Sequence, residues 1–255
     1  MASRVPCKCA GRFPLQRPEK ALTLLAMKHF TELLPEPLPP EPLVVLNRWM
    51  AESWQQRLQP NPNAMVLATS DPDGRPSARV VLCKEIVEQP GYLVFFTNYL
   101  SRKGRQLTGN PRAAAVIHWD ALHRQVRVEG PVVVAPAADS DAYFASRPWQ
   151  SRVGAWASEQ SEPVASREAL QKAVASTAAR FDVPDPGHAT DQGHPEFVIP
   201  RPPHWGGYRL WADSVELWVE GEGRIHDRAR WTRELIPQAD GFFGVGPWNV
   251  TRLQP

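Results

Sequence analysis

Cysteine is scarce in this chain of 255 residues: Cys7, Cys9 and Cys83 are all it has. Three thiols cannot build a paired disulfide framework, and two of them fall in an irregular leader, so a reducing, cytoplasmic setting is expected. The Cys7-x-Cys9 pair has no second cysteine or histidine pair at a spacing that completes four ligands, so no metal site is expected. Also missing is any run of about 18 apolar residues, which excludes a spanning helix and a membrane partner. Charge of one sign is missing too: 29 basic side chains face 27 acidic ones, for a net charge of +2 and a pI near 8.5. That balance is too even for a protein that coats nucleic acid, so any anion site must be local. No internal repeat is visible, and no glycine-rich phosphate loop sits in a βαβ alternation.

Proline is plentiful instead, 27 in all. Residues 1–26 are basic, with Glu19 the only acid, and faintly resemble a transit peptide; an unstructured or artefactual extension before Met27 accounts for them equally. The run EPLPPEP at 36–42 reads as an extended linker. After it, LVVLNRWMAESWQQRL has amphipathic-helix spacing, with Leu46, Trp49, Met50 and Leu58 able to share a face. The expected organisation is a disordered N-terminal extension over 1–42 and one domain over 43–255.

Strand signals follow. AMVLATS and SARVVLCKEI flank the turn DPDG at 71–74, a hairpin pattern, and YLVFFTN comes after a Pro-Gly turn. SRKGRQLTGN reads as a short helix capped by Ser101, followed by strands RAAAVIHW and RQVRVEGPVVVA. Helical patterns fill 139–180, a flexible loop rich in Pro, Gly and His is expected over 182–200, and β-like segments close the chain. This order predicts a mainly β fold with helices (α+β): an antiparallel barrel or sandwich with helices attached.

Four short stretches carry chemistry. In SRKGRQL, the amides and positive dipole of a helix start would sit beside Arg102 and Lys103, forming a phosphate receptor with an arginine fork and a compact lysine charge. An exposed basic helix explains the same composition, and composition alone favours it. YFASRPWQS spaces Tyr143, Arg147 and Ser151 four apart, so one helix face could offer all three to a second phosphate, although Pro148 interrupts the helix that this spacing needs. RQVRVEG alternates, turning Gln125, Arg127 and Glu129 to one side of a strand. That row is either a solvated face or, through the donor-acceptor amide of Gln125, the address of a planar ring. GEGRIHDRARW alternates too, aiming Arg224, His226 and Arg228 the same way with Asp227 opposite. Three potential cations on one face repel each other unless an anion or an electron-rich ring lies between them. With no defensible Ser-His-Asp or Cys-His ordering, these features suggest two phosphorylated small molecules, a cofactor and a substrate.

In this order, RVVLCK, FFTNYLSRKGRQL, NPRAAAVIHW, RQVRVEG, YFASRPWQSRVGAWAS with Gln160 and Ser161, RPPHWGGYRL and RIHDR closely resemble the pyridoxamine (pyridoxine) 5'-phosphate oxidase family. The resemblance runs over roughly residues 43–255. It implies a homodimeric, FMN-binding split barrel with FMN at the dimer interface. The implied reaction oxidises pyridoxine or pyridoxamine 5'-phosphate to pyridoxal 5'-phosphate, with O2 as electron acceptor, giving peroxide, and ammonia from the amine. Implied FMN contacts are Arg79, Val80, Val81, Leu82, Cys83, Lys84, Phe96 and Thr97, with Arg102 and Lys103 at its phosphate. Gln125, Gln160, Ser161, Trp218 and Arg228 complete the implied cofactor set. Lys84, Tyr143, Arg147 and Ser151 match the positions that meet the substrate phosphate. Arg224 and His226 match the catalytic positions over the pyridine ring, where they would orient it, stabilise charge and, at His226, handle a proton.

The sequence departs from the family at two places: Phe96 stands where members often have tyrosine, and Cys83 interrupts an aliphatic run. Strict alternation would also send Arg79 and Lys84 to opposite faces, so a bulge or separate subunit roles must reconcile them. Other readings fit these residues less well. A flavin oxidase acting on another ring, such as a phenazine precursor, would not need Tyr143, Arg147 and Ser151. A non-catalytic FMN or pyridoxal-phosphate carrier would not need Arg224 and His226. A nucleic-acid binder would need stacking aromatics that the basic cluster lacks beyond Tyr99.

Overall fold

Alternating apolar and polar residues produce strands over 64–70 and 124–134, where the pattern predicts them. The computed structural model describes residues 32–187 and 197–255, all within one unit, Thr31–Pro255. Among the described residues the order begins α1 (Pro42–Gln56), β1 (Ala64–Ser70), β2 (Pro76–Leu82), β3 (Glu85–Val87), β4 (Tyr92–Asn98), α2 (Arg102–Gly109), β5 (Arg112–Trp119) and β6 (Arg124–Val134). It continues through α3 (Ala137–Ala145), α4 (Trp149–Ala157), α5 (Arg167–Arg180), β7 (Trp205–Trp211), β8 (Ser214–Val219), β9 (Asp227–Thr232), β10 (Leu235–Pro237), β11 (Phe243–Val245) and β12 (Asn249–Leu253). The expected reading of a mainly β, antiparallel fold with helices holds.

One antiparallel ladder runs β12-β9-β8-β6-β5-β1-β2. The far end of β6 leaves that ladder to pair with β7, which pairs with β4, which pairs with β3. The sheet therefore curls into a split barrel. Gly130 is the residue that lets β6 serve both sides: a Cβ there would meet the carbonyl oxygen of Trp211 at 1.9 Å, so only glycine admits the neighbouring backbone. At the β1–β2 hairpin the Asp71 carboxylate accepts from the Arg75 amide at 2.8 Å, and Gly74 takes φ +80°.

β2 stops at Leu82, and the chain then changes partners: the Cys83 amide bonds Asn63 O at 2.9 Å, while the Lys84 amide bonds Val94 O at 2.8 Å. That break resolves the parity problem of Arg79 and Lys84, because alternation does not run across it.

Met65, Leu67, Phe95, Ile117, Trp119, Val126, Val128, Leu217 and Trp231 fill the barrel, and α1 closes one end with Leu46, Trp49 and Met50. Each such side chain contributes roughly 1.5–3 kcal/mol by leaving water. Leu58 does not join them. The helix has ended at Gln56, Arg57 is left-handed, and Leu58 is 47% exposed. A second, smaller cluster under α3, α4 and α5 is built on Phe144, Trp149, Val153 and Trp205.

Packing begins upstream of the expected domain start at 43, since Leu34 is buried and Trp231 Nε1 donates to Pro39 O at 2.8 Å. Residues 1–31, with Cys7 and Cys9, and residues 188–196 of the expected 182–200 loop lie outside the described residues. Among the described residues, no helix is long and apolar enough to cross a membrane, and no group of three His, Cys, Asp or Glu side chains is placed to hold a metal ion.

Candidate active site

A cleft of about 1010 Å³ lies along β2 and β4, with α2 at one side and the α3–α4 segment at another. Arg79, Val80, Val81, Leu82, Lys84, Phe96, Thr97, Arg102, Lys103, Tyr143, Arg147, Ser151, Gln160 and Ser161 all line it. Five of these are cations, Arg79, Lys84, Arg102, Lys103 and Arg147, and no Asp or Glu is among the described lining residues.

The N-terminus of α2 is built for close approach. Ser101 caps it, accepting from the Gly104 amide at 3.3 Å and donating to Asn98 O at 2.7 Å. A Cβ on Gly104 would stand 2.0 Å from Tyr99 O, so glycine lets the first turn sit on β4's end. The turn delivers Arg102 and Lys103 to the cleft. The Lys103 ammonium is buried and donates to Thr97 Oγ1 at 2.9 Å, Gln160 Oε1 at 2.9 Å and Ser101 Oγ at 3.2 Å. All three partners are neutral. Burial, and next the charge of Arg79, lower its pKa to about 8. Arg79 is itself held below the usual arginine range by burial and then by Arg102. Its guanidinium donates to Thr69 Oγ1 at 2.6 Å, Leu67 O at 3.2 Å and Ser77 Oγ.

The opposite wall is aromatic. Tyr143 stacks on Phe96 with ring centroids 4.0 Å apart, and both lie nearly parallel to Trp205, at 6.1 and 5.5 Å. Lys84 Nζ stands 5.5 Å from the Tyr143 ring, and the Arg147 guanidinium 4.7 Å from that of Trp205. Pro148 does break the helix, between α3 and α4, yet Tyr143, Arg147 and Ser151 still face one space because α4 starts at once on Pro148 O, which accepts from Ser151 N at 2.9 Å. Arg147 Nη1 is buried with no hydrogen-bond partner, and burial lowers this group's pKa. An orphaned cationic donor in a cleft wall fits an anionic ligand.

The remaining expected residues do not line this cleft. Cys83 turns inward instead: it is 4% exposed, its Sγ donates to Glu85 O at 3.3 Å, and burial raises its thiol pKa to about 12. Gln125, Trp218 and Arg228 form a separate row across β6, β8 and β9, each the register partner of the next. His226 lies beside it, its ring 4.6 Å from that of Trp218, with Nδ1 accepting from the Gly221 amide at 3.2 Å.

The expected strand alternation of Arg224, His226 and Arg228 fails. β9 starts only at Asp227, and Glu222–Arg224 make a 3-10 turn in which Gly223 (φ +64°) and Arg224 (φ +67°) are both left-handed. Two consecutive left-handed residues reverse a chain, which a strand cannot accommodate. The repulsion argument fails with it, because Glu216 accepts from Arg228 at 3.0 and 2.8 Å. By contrast, the alternation of Gln125, Arg127 and Glu129 against buried Val126 and Val128 holds.

Two contributors escaped the sequence reading. Trp205 belongs to the stretch RPPHWGGYRL, already singled out, but only the fold brings it under Arg147. Gln106 gave no signal: its Oε1 accepts from Thr69 at 2.6 Å and Ser77 at 2.7 Å, which shapes the cradle of Arg79.

An antiparallel split barrel whose cleft is cationic, aromatic-walled and free of carboxylates among its described lining residues defines a class of protein suited to phosphorylated, ring-bearing small molecules. Residues 50–180 match the family model described as pyridoxamine 5'-phosphate oxidase, and residues 205–255 match that of the pyridoxine 5'-phosphate oxidase C-terminal dimerisation region. The chain belongs to the pyridoxine/pyridoxamine 5'-phosphate oxidase family. It is 46% identical over 216 residues to the pyridoxine/pyridoxamine 5'-phosphate oxidase of Rubrobacter xylanophilus, covering 85% of this chain and 88% of that one. Identity to the Azorhizobium caulinodans enzyme of the same name is 45%, covering 84% and 90%. Among solved structures, PhzG from Burkholderia lata 383, in complex with tetrahydrophenazine-1-carboxylic acid, aligns with a TM-score of 0.68 at 31% identity, over 85% of this chain and 94% of that one. A pyridoxamine 5'-phosphate oxidase-related, FMN binding protein from Nostoc punctiforme shares the fold, with a TM-score of 0.58 at 16% identity over 82% and 96%.

Proposed function

We propose that this chain is an FMN-dependent oxidase that converts pyridoxine 5'-phosphate or pyridoxamine 5'-phosphate to pyridoxal 5'-phosphate, with O2 as electron acceptor, in a reducing, cytoplasmic setting. The observation that carries this reading is the set of five cations without a carboxylate among the cleft's described lining residues. Burial first, and then a neighbouring cation, lower the pKa of Lys103 and of Arg79, and a bound dianion relieves that cost.

Arg102 and Lys103, with Arg79 behind them, suit the phosphate of FMN, since amides, helix dipole and side-chain charge act together there. Val80, Val81, Leu82, Lys84, Phe96, Thr97, Gln160 and Ser161 would hold the rest of the cofactor. FMN held there would supply two-electron redox chemistry between the substrate's C4' carbon and O2. Lys84, Tyr143, Arg147 and Ser151 would bind the substrate phosphate, with Arg147 Nη1 gaining the acceptor it lacks.

Gln125, Trp218 and Arg228 would complete the flavin site, and Arg224 and His226 would orient the pyridine ring, all from a second copy of the chain. The match of residues 205–255 to a dimerisation region supports this arrangement. Arg224 would stabilise negative charge on the ring. With Nδ1 engaged by the Gly221 amide, His226 presents Nε2 as the atom that holds or moves a proton. Pyridoxine 5'-phosphate plus O2 gives the aldehyde and H2O2; the amine consumes one water as well and releases ammonia.

The test is direct. The purified protein should show flavin absorption, and it should form pyridoxal 5'-phosphate with matching oxygen uptake from the phosphorylated substrates, while unphosphorylated pyridoxine should support neither oxygen uptake nor aldehyde formation. A yellow protein that forms no aldehyde would sink this reading and leave a flavin oxidase of another ring.

A further inference from the structure

We propose that residues 32–41 form a strap that sets the turn carrying Arg224 and His226, with Asp227 as the positioning residue. The inference rests on the reading of those two side chains as the groups that meet the substrate ring. Asp227 follows His226 directly and opens β9. Its side chain is 16% exposed, and its carboxylate accepts from the Leu34 amide at 2.8 Å and from Arg252 Nη1 at 2.5 Å. It thus joins the N-terminal segment, β9 and β12 at one point.

Arg252 extends this junction, and two tryptophans add separate tethers. Arg252 Nη2 reaches Glu36 at 2.6 Å and Pro35 O at 3.4 Å, Trp231 Nε1 donates to Pro39 O at 2.8 Å, and Trp248 Nε1 donates to Glu41 at 3.1 Å. Leu34, at 6% exposure, belongs to the core. A segment with no helix or strand of its own loses conformational entropy when it is fixed, and these bonds go beyond what a linker requires.

The turn is held from its other end as well. The Gly221 amide donates to His226 Nδ1 at 3.2 Å, and a Cβ on Gly221 would lie 1.7 Å from Ile225 O. His226 is therefore fixed between Gly221 on one side and Asp227 on the other. Displacing Asp227 moves His226 through a single peptide bond, and an error of about an ångström in a catalytic group can cost a hundredfold in rate.

The test compares Asp227→Ala and Asp227→Asn in the flavin-loaded full-length protein, each alone and combined with His226→Ala. Asp227→Ala should lower kcat/KM by roughly tenfold to a hundredfold at unchanged flavin content. Asp227→Asn, which keeps the shape and one acceptor, should lower it less. In the His226→Ala background, Asp227→Ala should change the rate less than about twofold, as expected of residues acting as a unit. Amide hydrogen exchange should quicken at Leu34 and over residues 220–227 while β1 and β2 stay unchanged.

Equal rate losses in both backgrounds, or unaltered exchange over 220–227, would overturn the inference. Faster exchange without a rate change would overturn it alone. Wild-type turnover in both His226→Ala and Arg224→Ala would overturn the parent reading and this inference with it. If Asp227→Ala does not fold, Asp227→Asn carries the same comparisons.

Discussion

Lys103 is a buried ammonium whose three hydrogen-bond partners are all neutral. Because its folded pKa is about 8 against an ordinary 10.5, the unfolded chain binds more protons between those values. This group's cost to the free protein is therefore fully present below pH 8 and is relieved as pH rises toward 10.5. A bound dianion favours the protonated form, so the sign reverses for binding. FMN affinity should hold below about pH 8 and then fall by up to about tenfold per pH unit, and Lys103→Arg should flatten that fall. Fluorescence-quenching titrations from neutral to alkaline pH check this; a flat wild-type profile would contradict it. Arg147 gives the complementary case. Arg147→Ala should raise KM for the phosphorylated substrate roughly tenfold to a hundredfold at constant flavin content, while Arg102→Ala should weaken flavin retention. The reverse pattern in steady-state kinetics and bound-flavin assays would mean that the two phosphate receptors have been exchanged. That Arg102, Lys103, Tyr143, Arg147 and Ser151 form two groups of anion-compatible side chains was legible in the residues, since charge type and spacing are local properties, and the fold sets both groups on one cleft. The partners that tune them, Gln106 and Trp205, were not, because each arrives from a distant part of the chain.

At the scale of elements, β6 does the most: it pairs with β5 and β8 and then, past Gly130, with β7. Gly130→Ala would drive a methyl into the Trp211 carbonyl, and the backbones there cannot both stay. We expect a loss of more than about 2 kcal/mol in urea unfolding, together with weaker flavin retention, because β7 supplies Trp205 to the cleft wall. A variant of wild-type stability would show that the two halves of the barrel are less tightly coupled than this geometry requires. The strands themselves were plain in the sequence, where a period of two survives as long as one face is buried. That same period misled at Arg224 and His226, because alternation in a polar stretch looks alike whether it lies on a strand or in a turn with two left-handed residues.

On the scale of the whole molecule, the expected site residues other than the core residue Cys83 fall into two groups, one lining the cleft and one on the β6–β8–β9 row with its adjoining turn. If a two-fold dimer brings one copy's row to the other's cleft, two differently damaged subunits can repair each other. Mixing Arg147→Ala and His226→Ala subunits at equal ratio, after unfolding and reassembly, should restore about a quarter of wild-type sites, since half the dimers are mixed and each has one intact site. Activity no higher than that of either parent would mean that each site is built within one chain. Sedimentation of the wild type should show the dimer.

The sequence by itself determined which side chains carry charge, which stretches alternate, where Ser101 caps a helix and where proline breaks one, because these depend on neighbours within a few residues. It also carried enough ordered motifs to point to the family. Only the tertiary structure decided that Cys83 belongs to the core, that Arg79 and Lys84 share a cleft across a strand break, and that Arg228 already has its carboxylate in Glu216. It alone showed Asp227, with Arg252, tying residues 34–36 to the start of β9. The physical reason is common to all four: burial, facing and charge pairing are set by groups far apart in the chain, and no local pattern records which of them will meet.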